Sequence, residues 1–135
     1  MLVPAAIMYV MCSLLLVDDD LRILKFYGLV LEQAGYRVRV AETSARAVTL
    51  LKETDPEIVI MDLRVPDMED GLALIRTLKA HVRAPGQRPL KVVVTSGWTE
   101  DLAGTPELDS IDCVLAKPVR MELLLKSIAR LSPAC

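Results

Sequence analysis

Glu57-Ile58-Val59-Ile60-Met61-Asp62, continued by Leu63-Arg64-Val65-Pro66, is the stretch that decides the fold. Four apolar residues in a row, three of them β-branched, mark a strand covered on both faces, as strands inside a parallel sheet are. The run ends on a carboxylate, Asp62. Pro66 then stops regular structure, and Asp67 to Gly71 reads as a loop turning into a helix. In a parallel sheet flanked by helices, ligands bind at the carboxyl ends of the strands. A carboxylate at such an end is partly desolvated and costs free energy unless a cation or donor meets it. The chain therefore has to supply a cation elsewhere.

Outward from this strand the pattern alternates. Ser13 to Val17 is an apolar run of strand length that meets Asp18-Asp19-Asp20. Leu21 to Ala34 has helical spacing, with Asp20 placed to cap it and Gly35 just past its end. Tyr36 to Ala41 alternates and reads as a strand near a sheet edge. Thr43 or Ser44 caps a second helix, broken at Asp55-Pro56. Beyond the central strand a third helix is expected from about Gly71 to Ala80. His81 to Pro89 follows as a loop, in which the lone His81 reads as a solvated side chain. Leu90 to Thr95 and Ile111 to Ala116 are two more strands, and Met121 to Leu131 is a last helix. Strand and helix in turn predict an α/β fold, a doubly wound parallel sheet of five strands with helices on both faces.

The chain has 135 residues, which suits one domain with one core, and its 53% apolar content makes that core ample. A net charge of −2 gives no electrostatic case for nucleic acid. Cys12, Cys113 and Cys135 form no CxxC and read as small buried or terminal thiols. Met1 to Val17 carry no charge, yet Pro4 and the shortness of the run argue against a membrane span, and a secretory signal would want a basic start. Residues 1–12 therefore read as an apolar N-terminal extension, or as sequence preceding a start at Met8 or Met11. Residues 13–132 form the domain and 133–135 a tail, and the expected location is cytoplasmic.

Four strand ends carry polar residues: Asp18 and Asp19, Asp62, Thr95 with Ser96, and Lys117 before Pro118. In a doubly wound sheet these converge on one edge. Three carboxylates this close cannot all ionise without a cation. Hard oxygen ligands with room for water suit Mg²⁺. A hydroxyl and a lysine beside them are what a phosphoryl group needs on its equatorial oxygens. Asp62, nearest the centre, can then act as a nucleophile and form an acyl phosphate.

With these residues in place, the chain resembles the response-regulator receiver domain of two-component signalling. The resemblance covers about Ser13 to Leu131 and rests on four motifs in order: Leu16-Val-Asp-Asp19, Val59-Ile-Met-Asp62 with Pro66 and Gly71, Val94-Thr95-Ser96, and Lys117-Pro118. It implies a flavodoxin-like strand order 2-1-3-4-5. It also implies that Asp62 accepts phosphate from a cognate histidine kinase or phosphotransfer protein, and that Asp18, Asp19, Asp62 and the backbone carbonyl of Arg64 hold Mg²⁺. Thr95 and Lys117 would bind the phosphoryl oxygens, with a cis peptide bond before Pro118. No enzymatic turnover beyond the switch's own phosphorylation and dephosphorylation is implied, nor any direct contact with nucleic acid or membrane. An output partner of unknown identity and a homodimer are compatible with it.

The sequence departs from the family pattern at three places. Val114 stands where an aromatic residue is usual, three before the lysine. Asp67-Met-Glu-Asp70 makes the loop from Asp62 to Gly71 one residue longer. Gly104 and Pro106 interrupt the helix expected between strands four and five, so that helix should be short or degenerate, with at most one turn near Thr99 to Ala103. Two rival readings stand beside this one. A haloacid-dehalogenase-like phosphatase would use Asp18 and Asp20 as its DxD, but Arg22 is wrong for it and Asp62 would be idle. An unphosphorylated receiver used only as an interaction module would leave the acid pair unexplained.

Overall fold

The computed structural model describes residues 12–132, so the expectations for residues 1–11 and 133–135 lie outside the described residues. Five parallel strands form one sheet in the order β2-β1-β3-β4-β5. They are β1 (Ser13–Val17), β2 (Arg37–Ala41), β3 (Ile58–Asp62), β4 (Lys91–Ser96) and β5 (Cys113–Ala116). The helices are α1 (Leu21–Gln33), α2 (Ser44–Thr54), α3 (Met68–Ala80) and α4 (Met121–Leu131). Leu24, Tyr27 and Leu31 of α1 and Leu124 and Ile128 of α4 cover one face of the sheet, over Leu14, Leu16, Ile58, Ile60 and Val93. Ala47, Leu50 and Leu51 of α2 and Leu74, Ile75 and Leu78 of α3 cover the other, over Leu15, Val59, Met61, Val92 and Val94. Consecutive residues of β1, β3 and β4 thus enter opposite cores, which is why those strands read as unbroken apolar runs. Among the described residues no helix is long and apolar enough to cross a membrane.

The helix ends follow local chemistry. Asp20 accepts from Arg22 N at the start of α1, and Thr43 accepts from Arg46 N at the start of α2. Gly35, at φ 100°, follows α1 in the left-handed region where glycine carries no side-chain penalty. The third helix differs from expectation. It begins at Met68 rather than near Gly71, because Asp67 caps it by accepting from Asp70 N at 2.9 Å. The acids read as loop residues are its first turn, where Glu69 and Asp70 meet the positive end of the helix dipole. Gly71 lies inside that helix, and a Cβ there would sit 1.5 Å from the Leu63 carbonyl oxygen. Only glycine lets α3 approach the chain leaving β3 this closely.

Between β4 and β5 the helix is degenerate, as expected. Two 3₁₀ turns replace it, Thr99–Leu102 and Pro106–Ser110. The second forms where irregular chain was expected, because Pro106 opens the turn, where a proline's missing N–H costs nothing. β5 begins at Cys113, two residues later than read, because the Asp112 carboxylate accepts from Val92 N at 2.7 Å and from Lys79 Nζ at 2.9 Å. Two other readings are corrected. His81 is not solvated: its ring is 17% exposed and its Nε2 lies 3.0 Å from Asp55 Oδ1. Of the cysteines, Cys113 is a free thiol, whereas Cys12 is disulfide-bonded. Cys12 is also buried, and its carbonyl accepts from Arg37 N, so packing begins one residue before β1.

Candidate functional site

The strand register assembles the site. Val17 pairs with Met61, Asp62 with Thr95, and Ser96 with Ala116, so the residues leaving β1, β3, β4 and β5 meet at one edge. Lys117 N donates to Ser96 O at 2.8 Å, which carries the lysine back over that edge. The Lys117–Pro118 peptide bond is cis, as the resemblance implied.

Asp18 is 2% exposed. Its Oδ1 accepts from Asp20 N at 2.9 Å, and its Oδ2 accepts from Lys117 Nζ at 3.1 Å. The same ammonium lies 3.4 Å from Asp62 Oδ2. Asp62 Oδ1 accepts from Arg64 N at 3.4 Å. Asp19, exposed, completes a group with Asp18 and Asp62 whose carboxylate oxygens lie within 4.8 Å of one another. Among the described residues, one ammonium therefore meets two carboxylates of a group of three. Burial raises the Asp62 pKa above the ordinary carboxylate value, the charge of Asp18 adds to this, and Lys117 opposes both without overcoming them. For Lys117, burial alone would lower the pKa, but the charges of Asp18 and Asp62 outweigh it and hold the ammonium above its ordinary value. The lysine is firmly charged and still insufficient.

That deficit is what a divalent cation would fill. The donors are hard oxygens on three side chains, and Asp19 opens the group to water, a set suited to Mg²⁺ rather than to a softer metal. Asp20 is not part of it: its carboxylate caps α1 and pairs with Arg22 at 3.2 Å. This removes the second aspartate of the phosphatase-like DxD reading. Nor do Asp67 and Asp70 join, since they face each other across the first turn of α3, and Asp67's charge raises the Asp70 pKa.

Thr95 is buried, and its Oγ1 donates to Met61 O at 3.4 Å, along β3 and one residue short of Asp62. Val114 pairs with Val94 and packs against the core with no ring to move. The sequence reading missed the Arg64 side chain. Its Nη2 and Nε lie 2.6 and 3.2 Å from Asp101 Oδ2, joining the loop after β3 to the first 3₁₀ turn. Nothing in the sequence signals a pair 37 residues apart.

The comparisons with known proteins agree with this geometry. Residues 14–129 match the family described as response regulator receiver domain. The transcriptional regulatory protein GlrR of Escherichia coli is 34% identical over 115 residues, covering 85% of this chain and 25% of that protein. The transcriptional regulatory protein KdpE of Mycobacterium tuberculosis is 34% identical over 116 residues, covering 85% and 48%. The chain thus spans between a quarter and a half of the length of these relatives. In fold, it is similar to a CheY-like receiver domain from Methylobacillus flagellatus, with a TM-score of 0.77 at 24% identity over 90% of this chain and 98% of that one. With the sheet order, the acid group and the family match in agreement, the chain belongs to the response regulator receiver domains of two-component systems.

Proposed function

We propose that Asp62 is the phosphoacceptor of this receiver, with Mg²⁺ held by Asp18, Asp19, Asp62 and the Arg64 carbonyl, and with Thr95 and Lys117 on the phosphoryl oxygens. The observation that carries this reading is the single ammonium, 3.1 Å from Asp18 and 3.4 Å from Asp62, set among three carboxylates. Such a site is short of positive charge until a divalent cation arrives, and the cation with Lys117 can then meet the charge of a phosphoryl group. The metal, when bound, supplies charge neutralisation on the phosphoryl oxygens. An Asp62 oxygen bonds to phosphorus as the phosphorus–nitrogen bond of a donor phosphohistidine breaks, and the leaving imidazole takes its proton from solvent. Lys117 donates to one equatorial oxygen, and the Thr95 hydroxyl turns from Met61 O to another.

The donor is a histidine kinase or phosphotransfer protein, and the domain runs from Ser13 to Ser132 in a cytoplasmic setting. Beside this transfer, the domain phosphorylates itself from small donors and dephosphorylates itself, as a switch does. Its output passes to a partner protein, to a further domain or to a second copy of the chain. Incubation with acetyl phosphate and Mg²⁺ tests the reading. The wild-type protein gains one phosphoryl mass, and Asp62→Asn gains none. Labelling of Asp62→Asn at the wild-type rate overturns the assignment, and a wild type that is never labelled leaves only the interaction-module reading.

A further inference from the structure

Arg64 touches the site through its backbone and a distant turn through its side chain. Its amide donates to Asp62 Oδ1 at 3.4 Å. Its guanidinium places two nitrogens on one oxygen of Asp101, at 2.6 and 3.2 Å. Asp101 belongs to the 3₁₀ turn Thr99–Leu102, and its own amide donates to Trp98 O at 3.0 Å. One side chain therefore bridges from the loop carrying Asp62 to the segment that replaces the missing helix.

We propose that the Arg64 guanidinium is a two-position latch: it holds Asp101 while Asp62 is unmodified, and moves to the phosphoryl oxygens once Asp62 is phosphorylated, releasing residues 98–101. This rests on Asp62 being the phosphoacceptor. The physical case is a competition between two anions for one cation. The Arg64 side chain is 50% exposed, so its pair with Asp101 is screened by solvent and is readily given up. A phosphoryl group brings about −1.5 to −2 charge and several acceptor oxygens within reach of the same loop. Guanidinium forks bind such oxygens more strongly than they bind one carboxylate oxygen. Arg64 leaves behind the Asp101 carboxylate, 19% exposed, without its cation.

The release is bounded on its C-terminal side. Leu102 is buried in the core, and Arg76 Nη1 holds Glu107 Oε1 at 2.6 Å, so the second 3₁₀ turn stays on α3. What moves is the short stretch that starts at Trp98, the chain's one tryptophan, which is 58% exposed. The latch thereby gives this chain a route from site to surface that does not need an aromatic ring at Val114.

The two halves of the ion pair supply the test. Beryllofluoride with Mg²⁺, a non-covalent mimic of the phosphoryl group, is titrated into wild type, R64Q and D101N. Binding is followed by calorimetry and the turn by Trp98 fluorescence. If Asp101 competes for Arg64, R64Q weakens binding by about fivefold, the size of one exposed charge pair. D101N removes the competitor, so it tightens binding, and its Trp98 emission before titration already matches that of the bound wild type. A pair that merely braces the structure predicts shifts of the same sign, because either variant breaks it. Same-sign shifts, or a D101N protein with wild-type emission and a wild-type response, overturn the latch. A wild type that binds no beryllofluoride and takes no label from acetyl phosphate overturns the phosphoacceptor reading with it, so the two failures are told apart.

Discussion

The two edges of the sheet treat charge in opposite ways. At the carboxyl edge, Lys117 is the one cation paired with Asp18 and Asp62 among the described residues, Asp19 stands beside them, and Asp62 is held above its ordinary pKa by burial. At the amino edge the acids are matched. Arg83 Nε lies 3.1 Å from Asp55 Oδ1, with Glu57 3.9 Å from the same guanidinium, and Lys79 and Lys91 both meet Asp112. Burial there pushes the Asp55 pKa up, yet the hydrogen bonds from His81 and Arg83 outweigh it and leave the pKa lowered. The same residue types give a strained cluster at one edge and a satisfied one at the other. A cluster that exists to hold the fold is neutralised by its own side chains. The carboxyl-edge cluster is not neutralised in this way, which is what the proposed binding of a cation there would require.

Removing the central cation at each edge should separate these roles. Lys117→Met leaves Asp18, 2% exposed, facing Asp62 with no cation, and should cost about 3 kcal/mol in metal-free buffer. Added Mg²⁺ should restore most of that stability, because the metal binds only the folded state. At the other edge, Arg83 is 5% exposed and also donates to the carbonyls of Arg88 and Asp55. Arg83→Met should cost roughly 2 kcal/mol, the loss of several charge-assisted bonds, with no rescue by Mg²⁺. Urea denaturation with and without MgCl₂ measures both. A Lys117→Met protein indifferent to Mg²⁺ would mean that its carboxylates are not a cation site.

A smaller effect of the opposite sign is expected when one of the crowded carboxylates is neutralised. A raised folded-state pKa for Asp62 means that the native state binds more protons than the unfolded state. Its contribution is present below the ordinary value and lost as pH rises through the folded-state pKa. Asp62→Asn should therefore raise the melting temperature of the metal-free protein at neutral pH, while abolishing labelling. A lowered melting temperature would show that the Lys117 contact outweighs the crowding.

Most of this architecture was legible because it is local. Buried runs ending on carboxylates at Asp18 and Asp62 identify strands and their polar ends together, and the caps Asp20 and Thr43 act within three residues of themselves. Lys117 was legible as a site residue because Pro118 and the apolar run before it mark a strand end. The start of α3 was misread because Asp67 to Asp70 after Pro66 has a loop's composition, although the same acids serve as a cap and a first turn. Gly71 could be seen but not explained, since its reason is the Leu63 carbonyl above it. The pairs Arg64–Asp101, Arg76–Glu107 and Arg83–Asp55 join residues far apart in sequence, and charged side chains carry no periodic signal of their partners.

The last expected effect is the smallest, and it sets the two edges against each other by acid. The lowered folded-state pKa of Asp55 means that the unfolded chain binds the proton more readily. Its contribution is therefore present above the ordinary carboxylate value of 3.8 and lost as pH falls below it, through the folded-state pKa. The Asp62 contribution runs the other way and grows with acid. Asp55→Asn isolates the charge well, because Asp55 sits at φ 45° and asparagine accepts that left-handed backbone as readily as aspartate does. The variant should be less stable than wild type at pH 6 by under about 1 kcal/mol, since the Asp55 side chain is 32% exposed and its pairs are partly screened. The gap should narrow as pH falls below 3.8, where the unfolded chain takes up the proton before the folded one does. Urea midpoints between pH 3 and 6 measure it, in metal-free buffer so that the other edge keeps its own sign. A gap that stays constant across that range would mean that Asp55 acts through its backbone position and not its charge, and the matched edge would then be held by Arg83's bonds to carbonyls.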